Sequence, residues 1–193
     1  MKDKDEIKKN VTDEREEANQ SVAQLKANAS RYREDLGELQ KEDSAHILVV
    51  DDASVDMELL TYILRSNGYQ VRAVSNGRQA LSSVASERPD LILLDVKMPD
   101  IDGYEVCRRL KLDEQSSGIP VIFISALDGF EERVEGFHAG GVDYITKPFQ
   151  QAEVLARVET HLTLRCMQIK IEARNTQLQK EITERRQVEK TLR

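Results

Sequence analysis

Between residues 46 and about 160 the chain alternates five times between a short run of apolar residues and an amphipathic stretch of helical spacing. The runs are "HILVVDD", "YQVRAVS", "DLILLD", "IPVIFISA" and "VDYITKPF". A stretch such as "LILL" has no polar alternate, so as a strand it must be covered on both faces. The segments between and after the runs read as helices: "SVDMELLTYILRSNG", closed by Asn67-Gly68; "GRQALSSVASER", stopping before Pro89; "GYEVCRRLKLD"; "FEERVEGFHAG", ended by Gly140 and Gly141; and "QQAEVLARVETHL". Strand and helix in strict alternation predict a parallel sheet with helices on both faces, joined by right-handed crossovers.

The flanks differ in character. Residues 1–44 lack proline, contain Gly37 as their only glycine, and are dense in both charge signs. Ala18, Val22, Leu25, Ala29, Tyr32, Leu36 and Leu39 follow the alternating four-and-three steps of a coiled-coil seam. Residues 163–193 contain no Gly or Pro, so the last helix meets no stop signal. Leu164, Ile171 and Leu178 lie seven apart; Ile182, Val188 and Leu192 follow after a stutter. The organisation expected is an N-terminal helix over 1–44, an α/β domain over 45–162, and a helical extension over 163–193 continuous with the domain's last helix.

Charge and cysteine content narrow the function classes. The formal net charge is −7, unfavourable for a nucleic-acid partner. No apolar run reaches membrane-spanning length, and the charged N-terminus is no secretory signal. Cys107 and Cys166 lack metal-ligand spacing and read as reduced thiols, so a cytoplasmic location is expected. His46, His138 and His161 share no ligand spacing either and read as ordinary surface or boundary residues.

The ends of the strands carry the chemistry. Asp51 and Asp52 end the first strand, and Asp95 ends the third. In a doubly wound sheet of order 2-1-3-4-5 these strands are neighbours at the topological switch point, and their carboxyl ends share one crevice. Three carboxylates there repel unless neutralised, and a hard, oxygen-liganded divalent cation such as Mg²⁺ suits them. Ser125 ends the fourth strand and Lys147 follows the fifth. A hydroxyl and an ammonium would thus reach the same edge, where Lys147 could pair with Asp95 or with a phosphate on it.

The stretches "ILVVDD", "LILLDVKMPDIDGYEV", "VIFISAL" and "GGVDYITKPF", in this order and spacing over about residues 46–162, resemble the response-regulator receiver domain of two-component signalling. The resemblance implies a flavodoxin-like α/β fold with Asp95 as phosphoacceptor. It also implies Mg²⁺ held by Asp51, Asp52, Asp95 and the backbone carbonyl of Lys97, with Asp52 the more direct ligand of the acidic pair. Ser125 and Tyr144 match the hydroxyl and aromatic switch residues, Tyr144 swinging into the space Ser125 vacates. Lys147 matches the essential lysine, with a cis bond to Pro148. The implied partner is a histidine kinase or phosphotransfer protein, and the helical flanks suggest a parallel homodimer.

On this reading the chain is a phosphorelay protein with no output enzyme in these residues. "IEARNTQLQKEITERRQVEKTLR" resembles helical linkers that precede sensory PAS domains or histidine-kinase cores. The alternatives are a stand-alone adaptor whose arms bind a partner, or the receiver segment of a larger hybrid sensor kinase or regulator. A transcription factor is disfavoured, because the last 30 or so residues hold no helix-turn-helix pattern. A phosphatase of the haloacid-dehalogenase type is disfavoured because Lys97 stands where that class needs a second acid.

Overall fold

A computed structural model describes residues 44–126 and 129–191. The seam expected over residues 1–44 therefore lies outside the described residues, save Ser44. Among the described residues five strands, β1 (His46–Val50), β2 (Gln70–Val74), β3 (Leu91–Asp95), β4 (Val121–Ser125) and β5 (Asp143–Thr146), alternate with five helices. These are α1 (Ser54–Ser66), α2 (Gly77–Ser86), α3 (Gly103–Leu112), α4 (Phe130–His138) and α5 (Gln151–Thr191). All the strand pairs are parallel and the order is β2-β1-β3-β4-β5. This is the flavodoxin-like topology that the alternation and the resemblance together predict.

The two faces of the sheet sort the core by the two-residue period of a strand. Leu48, Val50, Ile92, Leu94, Val121 and Phe123 face α2 and α3, packing on Ala80, Val84, Val106 and Leu110. Ile47, Val49, Leu91, Leu93, Ile122 and Ile124 face the other way, onto Leu60 and Leu64 of α1 and Val154 and Val158 of α5. Every residue of β3 is buried. Full burial of one such aliphatic side chain is worth about 1.5–3 kcal/mol, which explains why a run with no polar alternate is tolerated.

The turns close as their residues demand. At the end of α1, Gly68 has φ +88° and its N–H donates to the Arg65 carbonyl at 3.1 Å, while Tyr69 N–H donates to Leu64 at 3.2 Å. That pair of bonds is a Schellman motif. The same pair recurs after α4, around Gly140 at φ +96°. A methyl group at Gly68 would meet nothing within 4 Å, so Gly68→Ala tests backbone strain alone. It is expected to cost about 1 kcal/mol in a urea melt, and no loss would mean the turn relaxes to another conformation.

Helix α5 runs without interruption for 41 residues, as the missing stop signal predicts. Its first turns are core; from Met167 onward the described apolar side chains of Ile169, Ile171, Leu178 and Ile182 are exposed. Arg165 donates to the Gly118 carbonyl in the loop before β4, anchoring the helix where it leaves the sheet. His161 sits only 3.1 Å from Asp143, which also receives Arg157 at 2.7 Å, so this histidine ties α5 to the start of β5. Among the described residues no helix is long and apolar enough to cross a membrane.

Candidate functional site

The carboxyl ends of β1 and β3 lie side by side because Val50 pairs with Leu94. The acids that follow them are thereby brought together. Asp51, Asp52 and Asp95 each offer an oxygen within 4.8 Å of the others. Asp51 and Asp95 are buried, at 1% and 6% exposed, whereas Asp52 faces solvent. Asp51 is held on both oxygens, one accepting the Ala53 N–H at 2.8 Å and the other the Lys147 ammonium at 2.7 Å.

Lys147 is delivered by the end of β5 and a cis peptide bond to Pro148, and its N–H donates to the Ser125 carbonyl at 2.8 Å. Its Nζ lies 2.7 Å from Asp51, 2.9 Å from Asp56 and 3.4 Å from Asp95. The ammonium thus pairs with Asp95, as one sequence reading foresaw, but sits closer to Asp51 and Asp56. Burial alone would lower the lysine's pKa, but hydrogen bonds to Asp51 and Asp56 outweigh it and hold the group protonated. Burial pushes the Asp95 carboxyl up to about 6; Lys147 pulls it down only in part, and Asp51 pushes the same way as burial.

Ser125 is buried at the end of β4, paired with Thr146 in register. Tyr144 is 7% exposed, its ring 6.3 Å from Phe123 and under the Arg133 guanidinium at 5.8 Å. The inward movement expected of Tyr144 therefore starts from a ring that is already buried. Lys97 is exposed and lines a surface hollow with Asp52, Met98, Asp102 and Tyr104. The loop carrying it is fixed at both ends. Asp102 caps α3 through the Glu105 N–H at 2.7 Å, and Asp100 accepts from Gly77 and Arg78 at the start of α2, both at 3.2 Å.

Two residues here were not foreseen. Asp56 lies in the first turn of α1, where an acid is ordinary helix chemistry, and nothing in the sequence marks its reach to Lys147. Tyr104 stacks edge-on against Phe123 at 5.1 Å, donates to the Glu132 carbonyl at 2.9 Å, and hydrogen-bonds Tyr144. Nothing in the local stretch "GYEV" marks its hydroxyl for a partner on another element. Cys107 is buried in the core, its thiol pushed up to about 11 by burial.

A five-stranded doubly wound sheet thus gathers three carboxylates, two of them buried, and a lysine at the carboxyl ends of its strands. Residues 47–159 match the response regulator receiver domain family, and the chain belongs to it. It is 44% identical over 117 residues to Response regulator PleD of Caulobacter vibrioides, covering 61% of this chain and 26% of the relative. It is 46% identical over 116 residues to Response regulator MprA of Mycolicibacterium vanbaalenii, covering 60% and 49%. Among solved structures it is similar to the signal receiver domain of a signal transduction histidine kinase from Syntrophus aciditrophicus. That match has 38% identity and a TM-score of 0.59, over 62% of this chain and 91% of the other. The chain thus spans about a quarter and about half of the two curated relatives.

Proposed function

We propose that this receiver domain takes a phosphoryl group onto Asp95 from a histidine kinase or phosphotransfer protein and passes the change into α5. The observation that carries this reading is the meeting of Asp51, Asp52, Asp95 and Lys147 at one edge of the sheet. The all-oxygen donor set, partly buried and partly open to water, fits Mg²⁺ held by Asp51, Asp52, Asp95 and the Lys97 carbonyl. When bound, the ion supplies charge neutralisation and orientation for the transferred group.

The chain's own groups do the rest. A carboxylate oxygen of Asp95 attacks phosphorus in line. The bond to the donor imidazole breaks, and its electron pair goes to that nitrogen, leaving an aspartyl phosphate. Lys147 stabilises charge on the transferring oxygens from a position fixed beforehand by Asp51. The Ser125 hydroxyl donates to a phosphoryl oxygen, and Tyr144, braced by Tyr104, closes behind it. Since β5 leads through Lys147 and Pro148 into α5, displacement on that strand reaches the helix root. Val55, Leu59 and Tyr62 form an exposed apolar stripe on α1 beside the crevice, a surface for the donor protein.

The test is incubation with acetyl phosphate. The chain should gain one phosphoryl mass only when Mg²⁺ is present, and a chain that gains none overturns the reading. The exposed stripe of α5 is proposed to pair with a second copy in a parallel coiled coil. Sedimentation should give a dimer for the whole chain and a monomer once residues 1–44 and 165–193 are removed; a monomeric whole chain overturns the pairing. The same domain also suits a larger hybrid kinase or regulator, an arrangement favoured by its similarity to the receiver of a histidine kinase.

A further inference from the structure

An ammonium has three donors, and Lys147 meets three carboxylates. A phosphoryl group on Asp95 takes over that residue's place on the ammonium and brings further acceptor oxygens and charge; where two of those oxygens claim the ammonium, Asp51 or Asp56 must yield. Asp51 is 1% exposed and both its oxygens are engaged. Pulling Lys147 away would leave a buried charge unpaired, which is costly. Asp56 stands differently. Its side chain is 34% exposed, and it lies in the first turn of α1, where water and the helix N-terminus accommodate a released carboxylate. It is also outside the group of acids placed to share a cation. Within the site it pairs with Lys147 at 2.9 Å.

We infer that Asp56 is the exchange partner of Lys147: it holds the ammonium in the resting protein, gives it up to the phosphoryl group, and thereby sets how readily Asp95 is phosphorylated. This rests on the reading of Asp95 as the phosphoacceptor. Asp56 opposes the modified state twice over, through the contact that must break and through repulsion between its carboxylate and the incoming phosphoryl charge. It is a positioning residue, acting through Lys147.

The experiment compares wild type, Asp56→Asn and Asp56→Glu in Mg²⁺ with acetyl phosphate, following the initial rate of mass gain at low and high salt. Asp56→Asn keeps the shape and loses the charge. It should be phosphorylated about fivefold faster at low salt, the scale of a partly exposed ion pair. The advantage should shrink at high salt, where screening weakens the wild-type contact. Binding of beryllofluoride, a phosphoryl mimic that forms without turnover, should tighten by a similar factor. Asp56→Glu, which keeps the charge, should stay near the wild-type rate. An unchanged or slower rate in Asp56→Asn, or an equal gain in Asp56→Glu, overturns the proposal while leaving Asp95 as acceptor. A wild-type chain that gains no mass overturns the reading of Asp95 itself, and this proposal with it.

Discussion

Asp95→Asn is expected to abolish phosphoryl uptake from acetyl phosphate and, in metal-free buffer near neutral pH, to stabilise the fold by roughly 2–3 kcal/mol. Both effects come from one carboxylate. As the proposed nucleophile it has no substitute in the amide. As a buried acid raised to about 6 it is costly to ionise in the folded state. The unfolded chain ionises this group in the ordinary carboxylate range, at lower pH than the folded chain does. Below that range both states hold the proton and the carboxyl costs nothing. As pH rises toward the folded value the cost appears, and it is fully expressed above it. Urea melts should therefore show variant and wild type alike near pH 3.5, diverging between about 4 and 6, and furthest apart at 7 and above. A mass gain that persists in the variant moves the acceptor elsewhere. Equal stability at neutral pH would mean that Lys147 compensates the Asp95 charge in full.

Gly103→Ala should destabilise the domain by about 3 kcal/mol or more, a large effect for one methyl group. The cause is close approach, since this glycine does not have a positive φ. A Cβ at Gly103 would stand 2.2 Å from the Asp95 carbonyl oxygen and 3.0 Å from the Val96 Cα. Neither neighbour is a flexible side-chain end, and the Gly103 N–H is tied to the Val96 carbonyl at 2.9 Å. The start of α3 thus rests on the end of β3, and relieving the clash must move the backbone that carries Asp95. The variant should lose phosphorylation rate together with stability. A melt indistinguishable from wild type would show that the loop over residues 96–102 shifts without cost.

The sheet and the acidic edge were legible because buried parallel strands leave an unmistakable trace: "LILL" can be nothing half-exposed, and an acid at its end must face a crevice. Topology then did what spacing alone could not, bringing Asp51 and Asp95 together across 44 residues of chain. Asp56 stayed hidden for the opposite reason. An acid in the first turn of a helix has a sufficient local explanation, and its pairing with Lys147 depends on how α1 packs against the end of β5. Tyr104 was obscured in the same way, the carbonyl that its hydroxyl reaches lying on α4. Tyr144 was singled out only by the family resemblance, and its buried ring reflects packing on Phe123 and Arg133 that no local pattern encodes.

Helix α5 has mechanical consequences beyond its seam. From Met167 to Thr191 it rises about 1.5 Å per residue, roughly 37 Å past its last core turns. Side-chain bonds such as Gln168 to Glu172 and Gln177 to Glu181 brace successive turns, and no Gly or Pro offers a hinge. If a change at Asp95 reaches α5 as proposed, such a rod acts as a lever with its fulcrum near Arg165. A tilt of about 3° at the root would carry the tip through about 2 Å. The gain of the device is set by helix length, so inserting or deleting whole turns beyond Arg165 would rescale the displacement without altering the chemistry at Asp95.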